Sequence, residues 1–352
     1  MLTRSKPKGV EEAKPLLERA TGVPIEVVSD DSLHSGRYRP DLVLSGGGKT
    51  FVVEIKPSAD AAQVAMAARQ LHEFAKSTRK KVVLLIMVPY MGDVGRRICD
   101  QEGISWFDRS GNAEISASGL RVRVLGQPNR FKRPGRRRSA FAPKSSRISR
   151  VLLSKPIRYW SQRDLAGATG ISEGYVSQVV RKLLTDGVLV RDDSGQVRPN
   201  DPDLMLDAWR EAYAFNTHRV TKGHVPARSG EQLLKQVAGM LEDREIDFAV
   251  TGLAGAWLLA PFSTFRLVTV FIRDTISHEV LRPLGFREDE VGANLWLVSP
   301  NDEAVFYGRT QVQDISCCSA VQVYLDLVAH PERGAEAASH LRSRLLNWHP
   351  ND

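Results

Sequence analysis

The chain has 352 residues, 42% of them hydrophobic and 26% charged, which is ordinary for a globular protein and enough for two or three domains. No apolar run approaches the roughly 20 residues needed to span a bilayer, so a helical membrane protein is excluded. The net charge is +8, yet residues 130–150 alone hold nine Arg or Lys and no acid, so the surplus marks a local polyanion footprint and not a generally basic surface.

In chain order, the opening stretch MLTRSKPKGVEEAK has no apolar core, so no secretion signal is expected. GVEEAKPLLERA predicts a short helix, residues 25–28 a strand, and 41–45 and 50–55 two strands joined by glycines. Residues 59–77 carry Val64, Ala68, Leu71 and Ala75 at helical spacing. KVVLLIMVPY reads as a buried strand, GDVGRRICDQEG as a helix and ISWFD as a strand. The order αβββαβαβ implies one mixed α/β domain.

The basic segment, with Pro128, Pro134, Gly135 and Pro143, has no periodicity and reads as a linker. Three helices follow, the second starting with a capping box at Ser161–Asp164 and the third capped by Ser172. VLVRDDSGQVRP then alternates and turns as a hairpin. The expected divisions are 1–127, a linker at 128–144, a helix-rich unit at 145–200, a helical connector at 201–227 and a second α/β domain at 228–352. Three cysteines without a C-x-x-C pair, and eight scattered histidines, point to a reduced, cytoplasmic protein without structural zinc.

RPDLVLSGGGKTFVVEIKPS, residues 39–58, poses the functional question. Its Gly-Gly-Gly-Lys-Thr invites a phosphate-binding loop, but Val43 stands where the first glycine of that motif belongs and a strand follows where a helix is required. The glycines read as a hairpin turn. Alternation along FVVEI puts Glu54 and Lys56 on one face, and Asp41 begins the partner strand. Asp41, Glu54 and the backbone carbonyl of Ile55 form a hard-oxygen set suited to Mg²⁺ or Mn²⁺, with Lys56 placed to stabilise charge on a phosphate or an attacking hydroxide.

Pro40-Asp41 with Glu54-Ile55-Lys56 resembles the PD-(D/E)XK nuclease superfamily over residues 9–125. The resemblance implies a restriction-endonuclease-like mixed sheet. It adds Glu11 or Glu12 of the first helix and Gln70 of the second as auxiliary site residues. Asp108, Gly111 and Asn112 read as a turn after a strand; the alternative puts Asn112 beside the carboxylates in contact with phosphate.

The unit at 145–200 reads as a winged helix-turn-helix. Val176, Val179, Val180 and Leu183 make the buried stripe of its third helix, leaving Ser172, Glu173, Tyr175, Ser177, Gln178, Arg181 and Lys182 to face DNA. Arg191 and Arg198 of the wing would flank that helix, and Arg133, Arg136, Arg137 and Arg138 would meet the phosphate backbone. WFDRSGNAEI, TGLAGAWLLAPFSTFRLVTVFI and the tail VQVYLDLVAHPERGAEAASHLRSRLL are similar to AbiEi-type antitoxins, the transcriptional regulators of type IV toxin–antitoxin systems. That resemblance implies operator binding, a cognate toxin, and a C-terminal domain like a degenerate nucleotidyltransferase, in which only Asp274 follows the relevant strand. Two functions therefore stand open. The first is a metal-dependent DNA endonuclease targeted by its winged helix, and the second a non-catalytic regulator. Double-stranded DNA is the partner in both, and palindromic sites favour a homodimer.

Overall fold

The computed structural model describes residues 10–28, 38–131, 140–274, 276–289, 291–328, 330–331 and 333–348. The chain divides into two compact units, 1–137 and 138–352, both of mixed α/β structure. None of the described helices is long and apolar enough to cross a membrane. Arg133, Arg136, Arg137 and Arg138 lie outside the described residues.

The first unit contains α1 (Val10–Thr21), β1 (Glu26–Val27), β2 (Leu42–Gly46), β3 (Lys49–Ile55), α2 (Ala61–Ser77), β4 (Val82–Val88), α3 (Asp93–Gln101), β5 (Ser105–Asp108), β6 (Ala113–Ala117) and β7 (Leu120–Val124). Its strands lie side by side in sequence order, with β3, β4 and β5 parallel and the remaining neighbours antiparallel. The β2–β3 turn is the two-residue pair Gly47-Gly48, with φ of 56° and 71°. Such a turn needs two left-handed residues, and glycine supplies them without a Cβ clash. The β6–β7 hairpin was not expected. Its strands AEISA and LRVRV alternate correctly, but they are short and follow the Asp108–Asn112 loop directly.

Alternation divides the sheet as the sequence predicts. Phe51, Val53 and Ile55 join Leu44, Leu85, Met87, Phe107 and Ile115 against Ala13 and Leu17 of α1. Each of the larger side chains among them, fully buried, contributes about 1.5–3 kcal/mol. On the opposite face α2 packs through Val64, Ala67, Ala68, Leu71 and Phe74, while Ala75 sits at the edge of the contact, half-buried.

The second unit begins with α4 (Pro143–Ser154), α5 (Gln162–Thr169), α6 (Glu173–Thr185) and the hairpin β8 (Leu189–Arg191)–β9 (Val197–Pro199). Trp160 bridges Val197 in antiparallel fashion, tying the α4–α5 connection to the hairpin. Ser161 accepts a hydrogen bond from the Asp164 amide at 3.0 Å, and Gly170 closes α5 in the left-handed conformation with φ of 64°. The predicted stripe Val176, Val179, Val180 and Leu183 is buried.

Next come α7 (Pro202–Ala212), β10 (Arg219–His224), α8 (Gly230–Glu242), β11 (Phe248–Thr251), α9 (Gly252–Leu259), β12 (Val268–Ile272), α10 (His278–Leu281), β13 (Arg287–Glu288), β14 (Leu295–Ser299), β15 (Thr310–Val312), β16 (Ile315–Cys317), α11 (Ala320–Val328) and α12 (Gly334–Leu345). The sheet order is β13-β10-β14-β12-β11-β16-β15, with β12–β14 and β11–β16 parallel. The connector expected to be helical thus supplies a strand, β10, because RVTKGH pairs with β14 over five residues.

The basic segment at residues 130–150 is divided by the fold. Helix α4 starts at Pro143, and two of the cations of that segment serve packing. Arg147 donates through Nε to both oxygens of Asp302 at 2.9 and 3.1 Å. Arg150 is 7% exposed and stacks its guanidinium 4.9 Å from the Trp209 ring centroid.

Candidate functional site

The carboxyl ends of the parallel strands bring the predicted acidic residues together. The Leu42–Val53 register places Asp41 across from Glu54, on the face covered by α2. Asp41 Oδ2 accepts the Ile55 amide at 2.9 Å. The ammonium of Lys56 donates to Glu54 Oε1 at 2.6 Å and to Gln70 Oε1 at 2.7 Å. Glu54 is wholly buried and Lys56 7% exposed, so this is a desolvated ion pair steadied by a glutamine from the neighbouring helix. Tyr38, which no sequence pattern marked, donates its hydroxyl to Glu54 Oε2.

Both oxygens of Glu54 therefore already hold a donor. Asp41, Glu54 and the Ile55 carbonyl have the hard-oxygen chemistry of a magnesium site, and a cation there would share Glu54 with Lys56 and Tyr38 or displace the Tyr38 hydroxyl. Among the described residues, no three His, Cys, Asp or Glu gather into a metal-binding group.

Of the auxiliary candidates, Gln70 joins this cluster through Lys56, while Glu12 and Asn112 are engaged elsewhere. Glu12 forms a two-pronged ion pair with Arg109, whose guanidinium stacks 4.6 Å from the Phe131 ring centroid. Asn112 is 1% exposed; its amide donates to Asp108 Oδ2 at 2.9 Å and accepts the Gln127 amide at 2.8 Å. It closes the loop after β5, which is the turn reading, and its buried amide is held by protein instead of facing phosphate.

In the second unit, α6 exposes Ser172, Glu173, Gln178, Arg181 and Lys182, with Ser177 half-buried. Tyr175 departs from the expected outward face: it is half-buried, and its hydroxyl meets Ser145 Oγ of α4 at 2.9 Å. Lys182 is paired with Asp186 one turn on. Arg191 is exposed on β8, while Arg198 of β9 lies half-buried with its guanidinium 5.1 Å from the Tyr159 ring centroid.

Residues 198–347 match the family model described as "Transcriptional regulator, AbiEi antitoxin, Type IV TA system". The match runs from the hairpin strand β9 through α12, and the resemblance to AbiEi antitoxins is shown over that part of the chain. No curated protein and no solved structure matches.

Within the AbiEi-like region lies a buried polar cluster. Asp326 accepts the Thr251 and Tyr213 hydroxyls and the Gln322 amide, the last at 2.8 Å. Asp274 is exposed beyond β12. On β12 itself, Thr269 meets His330 Nε2 at 2.9 Å. Burial pushes the Asp326 carboxyl up to about 6, against its partly offsetting hydrogen bonds. Burial also pulls His218 and His330 down to about 4. His218 Nδ1 accepts the Asn301 amide at 3.1 Å, so a second ring proton would face a donor.

These shifts act in opposite directions on stability. The two histidines have depressed folded values, so their contribution is present above 6.5 and lost as pH falls towards 4. Asp326 has a raised folded value, so its contribution is present below 3.8 and lost as pH rises through 6. The two histidines outweigh one carboxyl. The expected result is a melting temperature that falls between pH 6.5 and 4.5, and falls more steeply in Asp326→Asn. Calorimetry across that range checks it, and a flat profile in both chains would contradict the buried arrangement.

Proposed function

We propose that this protein is a DNA-binding transcriptional regulator of the AbiEi antitoxin kind, acting in the cytoplasm on double-stranded operator DNA, with a cognate toxin as its genetic partner. The match over residues 198–347 to a family of that description carries the reading. The three helices and hairpin before it support the DNA half. In this reading they form a winged helix-turn-helix, with α6 entering the major groove. Gln178 and Arg181 would read base edges, and Lys182 and the wing's Arg191 would approach phosphates. A homodimer would match a palindromic operator.

The test is fluorescence anisotropy with duplex DNA from upstream of the protein's own coding region, against scrambled duplex of equal length. Wild type should prefer the upstream duplex, and Arg181→Ala should lose about 10- to 100-fold, the cost of one base-reading arginine. Equal affinity for both duplexes would sink the regulator reading.

One observation favours a second reading, metal-dependent DNA cleavage by the first unit. Asp41, Glu54, Lys56 and Gln70 converge at the carboxyl ends of parallel strands, as in the PD-(D/E)XK fold that the sequence resembles. Asp41, Glu54 and the Ile55 carbonyl would hold Mg²⁺ or Mn²⁺, which supplies Lewis-acid charge at a scissile phosphate when bound. Lys56 would stabilise the attacking oxygen, and Tyr38 would leave Glu54. Plasmid incubated with Mg²⁺ or Mn²⁺, against EDTA, separates the readings. Metal-dependent nicking abolished by both Asp41→Ala and Lys56→Ala establishes a nuclease; uncut, bound plasmid leaves the regulator.

A further inference from the structure

Tyr175 lies in the first turn of α6, the part of the proposed recognition helix that would go deepest into the groove, yet its hydroxyl turns back to Ser145 of α4. Ser145 is 3% exposed, so this contact is a fixed point between the two helices. The ring does more than pack. The ammonium of Lys144 sits 5.3 Å from its centroid, within the range of a cation–π contact. Lys144 is itself exposed.

Its neighbours in the basic stretch are engaged otherwise: Arg147 with Asp302, and Arg150 buried against Trp209. On α6, Lys182 has Asp186. Among the described residues no acid pairs with Lys144. A lysine side chain gives up much rotamer freedom when it is held in one place, and an exposed cation–π contact is weak. Tyr175 therefore biases the ammonium to one position beside the start of α6 without neutralising it.

We propose that Lys144 is a phosphate contact of the DNA-reading surface, placed at the mouth of the recognition helix by Tyr175. The proposal rests on the winged-helix reading. It assigns Tyr175 a positioning role in place of the base contact expected from its helical position. Such a contact fixes register on the duplex and carries no sequence preference.

The experiment is the salt dependence of affinity, measured with the full chain on the upstream and scrambled duplexes. Lys144→Ala should lower the slope of log K against log salt by about 1, and weaken binding about fivefold at 0.15 M salt on both duplexes. Lys144→Arg should keep the slope. Tyr175→Phe, which retains the ring, should stay near wild type, while Tyr175→Leu, which leaves the cation but not its placement, should lower the slope part of the way towards that of Lys144→Ala. A slope unchanged in Lys144→Ala, with Arg181→Ala still defective, overturns this inference alone. Wild type that fails to prefer its upstream duplex overturns the regulator reading, and wild type that binds neither duplex takes the inference with it.

Discussion

Replacing Lys56 by Met is expected to destabilise the first unit by about 3–5 kcal/mol, and adding Glu54→Gln to the same chain is expected to recover most of that loss. Glu54 has no exposed surface, and its Oε1 is held by the ammonium at 2.6 Å. Without Lys56 the carboxylate stays buried with the Tyr38 hydroxyl as its one side-chain donor among the described residues. The desolvation cost of the charge is then no longer offset by Coulomb attraction. A neutral glutamine removes the charge itself, so the double variant should fall within about 2 kcal/mol of wild type. Urea unfolding, followed by amide exchange across β3, measures all three chains. A Lys56→Met protein as stable as wild type would show that the pair is not a structural element. The strong coupling expected here also bears on the cleavage assay. Loss of activity in Lys56→Ala identifies a catalytic group only if a folded fraction equal to wild type is shown beside it.

The second large effect is expected at Arg342, near the end of α12. Its guanidinium donates to Asp207 and Asp203 of α7 and to the Tyr324 hydroxyl of α11, the latter two at 2.8 and 3.1 Å. Asp207 is 7% exposed, so most of this fork is shielded from water. Arg342→Ala removes one cation from two carboxylates and should cost about 3 kcal/mol, well above the value of a surface pair. Arg342→Lys should recover little, because a single ammonium cannot reproduce planar contacts to both acids. Calorimetry of the full chain gives the loss. Because α7 also packs on α4 through Trp209 and Arg150, weaker DNA binding should accompany it. A melting temperature unchanged in Arg342→Ala would show that the three helices hold together without the fork.

Local patterning made much of this legible. The alternation FVVEI was enough to put Glu54 and Lys56 on one face, because strand geometry leaves no other choice. The three glycines declared a turn, and the valines of α6 declared its buried stripe. What escaped the sequence depends on contacts made at a distance or at a boundary. Tyr38 reaches Glu54 across 16 positions. Tyr175 sits between the buried and open faces of its helix, and only α4 decides which way it turns. Arg147 and Arg150 share composition with the basic linker, but Asp302, 155 positions from Arg147, reassigns one of them. No periodicity carries such information.

Helix α4 has a further consequence for how this chain can be handled and how it can change. It buries Ile148, Val151, Leu152 and Leu153, and also Ser145, Ser146, Ser149 and Arg150, so it is covered nearly all round. One side belongs to α5 and α6, the other to α7. A fragment ending after the hairpin would therefore expose apolar surface and strand a buried guanidinium, although the sequence reads as if it ended a module there. The helix–hairpin part and the half that follows it form one compact unit without a seam, and are expected to unfold together.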